Sequence, residues 1–354
     1  MPKGLRYAPS LDGVRGIALL VVILHHTHLF PSWGGGAVSV DVFFVLSGYL
    51  ITRILLAERE ESGGVSFRHF YARRALRLWP ALLTMLIVVG ALLYAGVLEA
   101  NPGGRGPAVS VGIAAFYLSN IAVVFWPHLV DPFGQTWSLA VEEQFYLAWP
   151  PMLLLLFRWT SRPVRWVLAG AAISAVGLVL GNTLLYHPVE SYVLPVTHAV
   201  GLLCGCALAM ASRWGTDRWQ RYIVPAVITL TVLAVLLPNR NGSLRAFGII
   251  AASLASVPLV AFLVEQPGSR MARFLGSAVP RTLGRWSYTV YLWHYPLIVG
   301  LRHAHPDASR TASVIGALVS FPIAALSFYF IEMPFQRMKA KLRPKAEAAI
   351  PDEV

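Results

Sequence analysis

The sequence predicts an all-α, polytopic integral membrane protein: a helical bundle with about ten transmembrane helices. Three observations predict this fold class. Hydrophobic residues make up 56% of the 354 residues and charged residues only 13%, which is far more apolar than a soluble globular domain. The apolar residues form repeated runs of about twenty, the length that crosses a hydrocarbon core. The basic residues fall in short stretches between these runs, so the net charge of +12 indicates orientation in a lipid bilayer rather than binding of nucleic acid.

The apolar runs also predict a topology. They lie near residues 13–30, 38–57, 78–97, 107–126, 138–157, 165–184, 191–211, 222–238, 246–264, 286–303 and 311–333. Lys3 and Arg6 place the N-terminus in the cytoplasm, because basic loops stay inside. If every run crossed, all the basic clusters after residue 157 would lie outside. We therefore predict ten spans, both termini cytoplasmic, and one re-entrant or peripheral segment within 107–145.

The chain reads as one membrane domain, residues 1–335, and a basic cytoplasmic tail, residues 336–354, that we expect to be disordered. The N-terminus resembles a signal peptide, but the internal Arg15 and the lack of a small-residue cleavage site predict that it is retained. Cys204 and Cys206 lie inside an apolar run without metal-ligand spacing. We interpret them as inert packing thiols and predict no metal site.

The first apolar run carries ionisable residues that a plain membrane anchor would lack. Such groups are costly at membrane depth and normally face a protein interior. At about 100° per residue, Arg15 and His26 lie roughly 20° apart around the helix, with Asp12 within about 40°. His25 lies about 80° away and His28 nearly opposite. One face therefore presents Arg15 and His26, separated by about 16 Å along the axis. The alternative is that end residues extend to the membrane surface, which suits Asp12 and His28.

Two further polar stretches lie near the start of the chain. VDVFFVLSGYLIT places Asp41, Ser47 and Gly48 in the second run, where small residues allow close approach of a helix or ligand. FRHFYARRALRLWP crowds arginines at the inner surface, among them Arg74 and Arg77 on one helix face. Guanidinium groups bind phosphate bidentately, so this pair suits an anionic cofactor; simple positive-inside anchoring is the alternative.

Three polar stretches lie in later runs. TWSLAVEEQFYLAWP holds Glu142 and Glu143, which point about 100° apart, so at most one lies directly on a given site. SYTVYLWHYP contributes Tyr288 and His294, with an interfacial aromatic belt as the alternative role for its tyrosines. YFIEMPF places Glu332 near the end of the last span.

Taken in order, these strings resemble the motifs of the acyltransferase-3 family, membrane-bound bacterial O-acyltransferases of glycans and natural products. The family pattern of an Arg, ten residues and a His matches Arg15 and His26. VDVFFVLSGYLIT, YARRALRLWP, TWSLAVEEQFY, SYTVYLWHYP and IEMPF resemble the later motifs, which together extend from residue 11 to 335. Gln135 stands where many relatives have His, so the chain departs from the family pattern at that position. The chain resembles the standalone form of the family rather than the form with a fused hydrolase-like domain.

The resemblance implies transfer of an acyl group from acyl-CoA to a hydroxyl of a glycan, lipid-linked sugar or natural product at the bacterial plasma membrane, with no tightly bound cofactor. His26 would act as general base or carry the acyl group, and the sequence leaves both open. The expected catalytic residues are His26, Glu142 and Arg15, with Glu142 orienting the histidine. The expected donor-binding residues are Arg74, Arg77, Arg73, Ser47 and Tyr49. The expected supporting residues are Asp12, Asp41, Trp137, Ser138, Glu143, Tyr288, His294 and Glu332.

The competing function is a transporter in which buried Arg, His and Glu form an ion relay. The sequence shows no two-fold repeat and no matching pair of broken spans, and both absences count against it.

Overall fold

The computed structural model describes residues 7–30, 33–98, 106–184, 188–211, 219–238 and 242–340. The regular structure of these residues is helical, apart from an isolated antiparallel bridge between Trp33 and Pro238. The predicted all-α class is confirmed for this part of the chain.

Fifteen α-helices can be numbered in the described residues. They are α1 (Pro9–His26), α2 (Gly35–Ser62), α3 (Phe67–Tyr94), α4 (Pro107–Ala115), α5 (Ser119–Phe125), α6 (Thr136–Trp159), α7 (Pro163–Thr183), α8 (Pro188–Val193), α9 (Val200–Met210), α10 (Gln220–Leu236), α11 (Gly242–Glu265), α12 (Arg270–Leu275), α13 (Ala278–Ala304), α14 (Ser309–Ser327) and α15 (Met333–Ala340). A π-helical turn, Phe328–Glu332, joins α14 to α15, and short 3-10 turns lie at Pro127–Leu129 and Pro306–Ala308.

Five helical segments are long and apolar enough to cross a membrane by length and composition: Gly35–Ser62, Phe67–Tyr94, Pro163–Thr183, Gly242–Glu265 and Pro306–Met338. Helices α1, α6 and α13 are 18, 24 and 27 residues long and carry the polar motifs. Several apolar helices of this kind make the chain a multi-pass membrane protein. The count of ten spans and the cytoplasmic side of both termini stay predictions.

Two of the predicted apolar runs are broken. The run 107–126 forms α4 and α5 with a break at residues 116–118, and the run 191–211 forms α8 and α9 with a break at 194–199. Non-helical backbone is tolerated at membrane depth only where protein or a water-lined cavity surrounds it. At both breaks, side chains provide hydrogen-bond partners for the backbone. The Gln144 amide donates to the Tyr117 carbonyl at 2.9 Å, and Ser174 Oγ accepts from the Ala199 N–H at 2.9 Å.

Glycines bring the central helices into backbone contact. A Cβ at Gly48 of α2 would lie 1.9 Å from the Leu202 carbonyl oxygen of α9. A Cβ at Gly284 of α13 would lie 1.8 Å from the Asp12 carbonyl oxygen of α1. Small residues at such contacts allow helices in a membrane to pack closely. The α1–α13 contact sets the spacing between the two helices that carry His26 and His294.

The predicted tail begins inside a helix, because α15 continues to Ala340. Residues 341–354 of the tail, and Lys3 and Arg6 at the other end of the chain, lie outside the described residues.

Candidate active site

Helices α1 and α13 bring two imidazoles into contact. His26 Nδ1 lies 2.9 Å from His294 Nε2. His294 Nδ1 lies 2.7 Å from the Tyr291 carbonyl oxygen, and since a carbonyl only accepts, this nitrogen carries a proton. A neutral His294 then offers Nε2 as an acceptor to the proton on His26 Nδ1. This assignment of protons by the hydrogen-bond network leaves the lone pair of His26 on Nε2.

The neighbouring histidines are placed differently. The His25 ring centroid is 5.4 Å from that of His26, but His25 Nδ1 donates to the Trp33 carbonyl at 2.8 Å. His28 lies beyond the end of α1, is exposed, and has a φ of 54°. Of these three histidines, only His26 contacts His294. The Tyr295 ring also contacts His26, edge-on, with ring centroids 4.9 Å apart.

A cavity lies at the other end of α1. Its empty space is about 990 Å³ including its opening, and we call it the arginine cavity after Arg15, Arg74 and Arg77 in its wall. Eight residues of the predicted site line it: Arg15, Ser47, Arg74, Arg77, Ser138, Glu142, Glu143 and Tyr288.

The arginines of this cavity differ in their partners. Arg74 donates to the Glu143 carboxylate from Nη2 at 2.8 Å and from Nε at 3.1 Å, and its guanidinium lies 3.3 Å from the Tyr146 ring centroid. Arg15 Nε donates to Ser287 Oγ at 3.4 Å. Within the described residues, neither Arg15 nor Arg77 forms an ion pair. Two cations without a paired carboxylate in one cavity favour an anionic ligand.

Glu142 lies in the arginine cavity, where its Oε1 accepts from Ser47 Oγ at 2.8 Å. The sequence led us to expect this carboxylate beside His26. The side chain in that place is instead the imidazole of His294, so the predicted orienting contact is corrected. Glu142 is therefore placed to contact a ligand in the arginine cavity rather than the His26 ring.

Two predicted donor-binding residues do not line the arginine cavity. Arg73 is buried and donates from Nη2 to Glu58 Oε2 at 3.1 Å, which ties α3 to α2. Tyr49 packs in an apolar cluster with residues such as Val45 and Ala209. Arg73 therefore pairs with α2, whereas Arg74 and Arg77 line the cavity.

Two further predicted residues, Asp12 and Glu332, have local partners. Asp12 Oδ2 accepts from the Tyr7 hydroxyl at 2.5 Å. Glu332 is buried, where Thr289 donates to one carboxylate oxygen and Gln336 Nε2 donates to the other at 2.7 Å. These contacts place both carboxylates in helix packing, and neither lines the arginine cavity.

Tyr291 lies between the arginine cavity and the histidine pair. The Tyr291 hydroxyl donates to the Gln135 carbonyl at 2.6 Å, so Ser138, 2.8 Å away, donates to Tyr291. Ser138 and Tyr291 both line the arginine cavity, and the Tyr291 ring centroid is 5.3 Å from that of His294. One end of the cavity wall therefore adjoins the histidine pair.

A second buried cluster contains a residue that the sequence analysis missed. His198 Nε2 lies 3.2 Å from Asp41 Oδ2, and Ser253 Oγ donates to Asp41 Oδ1 at 2.6 Å. Trp137 stacks on the His198 ring with centroids 5.9 Å apart. Asp41 and Trp137, predicted as supporting residues, thus meet at the break between α8 and α9, where His198 lies. The sequence feature that could have indicated His198 is a histidine within an apolar run.

The chain is similar to known proteins over nearly its whole length. The acyltransferase-3 family model, described as an acyltransferase domain, matches residues 9–332. The chain is 34% identical over 366 residues to peptidoglycan O-acetyltransferase OatA of Listeria monocytogenes, covering 94% of this chain and 56% of that protein. It is 33% identical over 360 residues to a Bacillus subtilis protein provisionally named peptidoglycan O-acetyltransferase YrhL, covering 94% and 55%. This chain thus spans about half the length of the curated relatives it matches. No solved structure matches it significantly.

Proposed function

Because this chain belongs to the acyltransferase-3 family, we propose that it moves an acetyl or other short acyl group from acyl-CoA to a hydroxyl of a cell-envelope glycan. The family predicted from six motifs is confirmed by the match over residues 9–332. The names of the relatives from Listeria monocytogenes and Bacillus subtilis, peptidoglycan O-acetyltransferases, support a glycan acceptor and an acetyl group. The donor, the acceptor and the bacterial plasma membrane are parts of the proposal.

The observation that carries the proposal is the contact between His26 and His294. It leaves His26 Nε2 with a lone pair and gives the Nδ1 proton a fixed acceptor. An imidazole with a free ring nitrogen suits the removal of a proton from a hydroxyl that attacks a thioester. An acceptor on the other ring nitrogen stabilises the imidazolium that forms, as the third group of a catalytic triad does.

In the proposed transfer, the acceptor oxygen attacks the thioester carbonyl carbon while its proton moves to His26 Nε2. The new C–O bond forms, the C–S bond breaks, and His26 returns the proton to the departing CoA thiolate. The same lone pair serves the alternative route, in which His26 Nε2 first attacks the thioester and carries the acyl group to the acceptor.

The arginine cavity is the proposed donor site. CoA carries phosphates, and Arg15 and Arg77 supply guanidinium groups without a paired carboxylate in the described residues. Arg74 is held by Glu143 and offers its remaining N–H groups. Because Arg15 and His26 are eleven positions apart on α1, about 16 Å separates them, and an extended thioester arm bridges that interval. Arg15 therefore belongs to donor binding rather than to contact with the acyl carbon.

Mass spectrometry tests the proposed function in cells. Envelope glycans and extracted metabolites are compared between cells that lack the protein, cells with the wild type, and cells with His26→Ala at matched levels. We expect acyl esters that appear only with the wild type. Equal acyl content in all three would contradict the proposal.

A further inference from the structure

Tyr117 occupies a backbone position that usually takes glycine. It follows α4 with a φ of 54°. The Leu118 N–H donates to the Ile113 carbonyl at 3.0 Å and the Tyr117 N–H to the Ala114 carbonyl at 3.2 Å. These two bonds form a Schellman motif, whose left-handed residue is usually glycine because a Cβ is unfavourable there. The tyrosine side chain is therefore kept at a position where glycine would relieve strain.

Helix α6 fixes this conformation. Gln144 Nε2 donates to the Tyr117 carbonyl at 2.9 Å and to Asn120 Oδ1 at 3.0 Å. Asn120 Nδ2 donates in return to Gln144 Oε1 at 3.0 Å. The reciprocal amide pair joins both sides of the break between α4 and α5 to α6. The direction of the Tyr117 side chain is consequently set by the bundle rather than by a flexible loop.

The side chain of Tyr117 lines the arginine cavity. Its hydroxyl oxygen is buried and has no hydrogen-bond partner among the described residues. The Tyr288 hydroxyl lies beside it, but it donates its proton to the Leu78 carbonyl at 2.8 Å and does not have hydrogen-bond geometry toward Tyr117. A buried hydroxyl without a partner is unfavourable and needs an explanation.

We propose that the Tyr117 hydroxyl donates a hydrogen bond to an oxygen of the acyl-CoA donor in the arginine cavity. This inference depends on the proposed function, because it takes acyl-CoA as the donor. Two unfavourable features, the left-handed backbone and the unpartnered hydroxyl, coincide at one side chain that faces the proposed donor site. Strained positions that persist in a fold often serve ligand binding. A hydroxyl donor matches either a phosphate oxygen or an amide carbonyl of the pantetheine arm, and CoA contains both.

The test measures binding of CoA to purified wild type, Tyr117→Phe and Tyr94→Phe by calorimetry. Tyr94 is the matched control, because its side chain is 89% exposed. We expect about two- to tenfold weaker CoA binding for Tyr117→Phe, the size of one net hydrogen bond, and no change for Tyr94→Phe. The melting temperature of ligand-free Tyr117→Phe should equal or exceed that of the wild type. Adenosine 3′-phosphate 5′-diphosphate carries all three phosphates of CoA but no pantetheine arm, and so separates the two sources. An equal loss of affinity in Tyr117→Phe assigns the hydrogen bond to a phosphate, and an unchanged affinity assigns it to the arm.

Three results would overturn the assignment. Unchanged CoA affinity in Tyr117→Phe would remove the hydroxyl from the donor site. A fall in the ligand-free melting temperature that accompanies weaker binding would make the hydroxyl a structural group. A wild type that binds no CoA would instead refute the proposed donor, and this assignment with it.

Discussion

His26 Nδ1 and His294 Nε2 lie 2.9 Å apart, although 268 residues separate them in the chain. Because His294 Nδ1 is committed to a backbone carbonyl of its own helix, the contact determines which nitrogen of His26 is free. We infer that His294 is a positioning residue: it acts on the reaction through His26.

This relationship predicts different effects for two substitutions of His294. His294→Phe removes the acceptor and should lower kcat by about a hundredfold or more, the lower end of a general base's usual contribution. His294→Gln keeps an acceptor oxygen and should retain a larger share of kcat. The KM for the donor should change little in either variant, because the arginine cavity is left intact. Steady-state acyl transfer by both variants checks this, and wild-type kcat in His294→Phe would refute it.

Substitution of Arg77 should weaken CoA binding, whereas substitution of Arg73 should lower the stability of the fold. Arg77→Ala should weaken CoA binding by roughly ten- to hundredfold, since it removes a charge-assisted contact to phosphate. Arg73→Ala should leave CoA affinity unchanged but lower the free energy of unfolding by about 3–5 kcal/mol, because it leaves Glu58 buried and unpaired.

Calorimetry with CoA and chemical denaturation of the two purified variants provide the measurement. Arg74→Ala should affect both quantities, since Arg74 lines the cavity and also pairs with Glu143. CoA affinities equal to the wild type in Arg74→Ala and Arg77→Ala would leave these arginines only an orienting role in the membrane.

The contact between Asp41 and His198 should be a large contribution to stability. Asp41→Ala leaves a buried imidazole and a buried Ser253 hydroxyl without their acceptor, and should lower the free energy of unfolding by about 3–5 kcal/mol. Ser253→Ala should cost about 1–3 kcal/mol, as one lost donor does.

Denaturation of Asp41→Ala, His198→Ala and the double variant completes a thermodynamic cycle. A coupling energy of about 0.5–3 kcal/mol is expected for residues in direct contact. Additive effects would show that the two side chains contribute independently.

The predicted topology is tested by cysteine labelling with an impermeant reagent. We expect labelling from outside at positions 102 and 130, and no labelling at Thr160→Cys or Ile350→Cys, because ten spans return both to the cytoplasm. Cys204 and Cys206 are buried and provide a low background. Outside labelling at both 160 and 350 would show that all eleven apolar runs cross.

Helix geometry explains why the sequence was enough to predict that Arg15 and His26 share one face of α1. Arg15 and His26 both contact α13, through Ser287 and His294 respectively. The angle between two side chains of one helix is a local property, so it follows from residue spacing alone. Which helix that face meets depends on the whole bundle, and for this reason we expected Glu142 where His294 lies.

The helix breaks were hidden for a different reason. Hydropathy is averaged over about nineteen residues, so an apolar run with a kink looks like a continuous span. The break at 194–199 therefore concealed His198 and its contact with Asp41. The break at Tyr117 was hidden by the same averaging and also by its residue type. The left-handed residue there is not the glycine that normally marks such a position.

The central claim is that His26 Nε2 performs the proton or acyl transfer. Its most direct test is the transfer of isotopically labelled acetyl from acetyl-CoA to a glycan acceptor, in membranes that contain matched amounts of wild type, His26→Ala, His25→Ala or His28→Ala. We predict no labelled product with His26→Ala, and product close to wild type with the other two variants, because neither His25 nor His28 contacts His294. Near-normal transfer by His26→Ala, together with its loss in His25→Ala, would contradict the account.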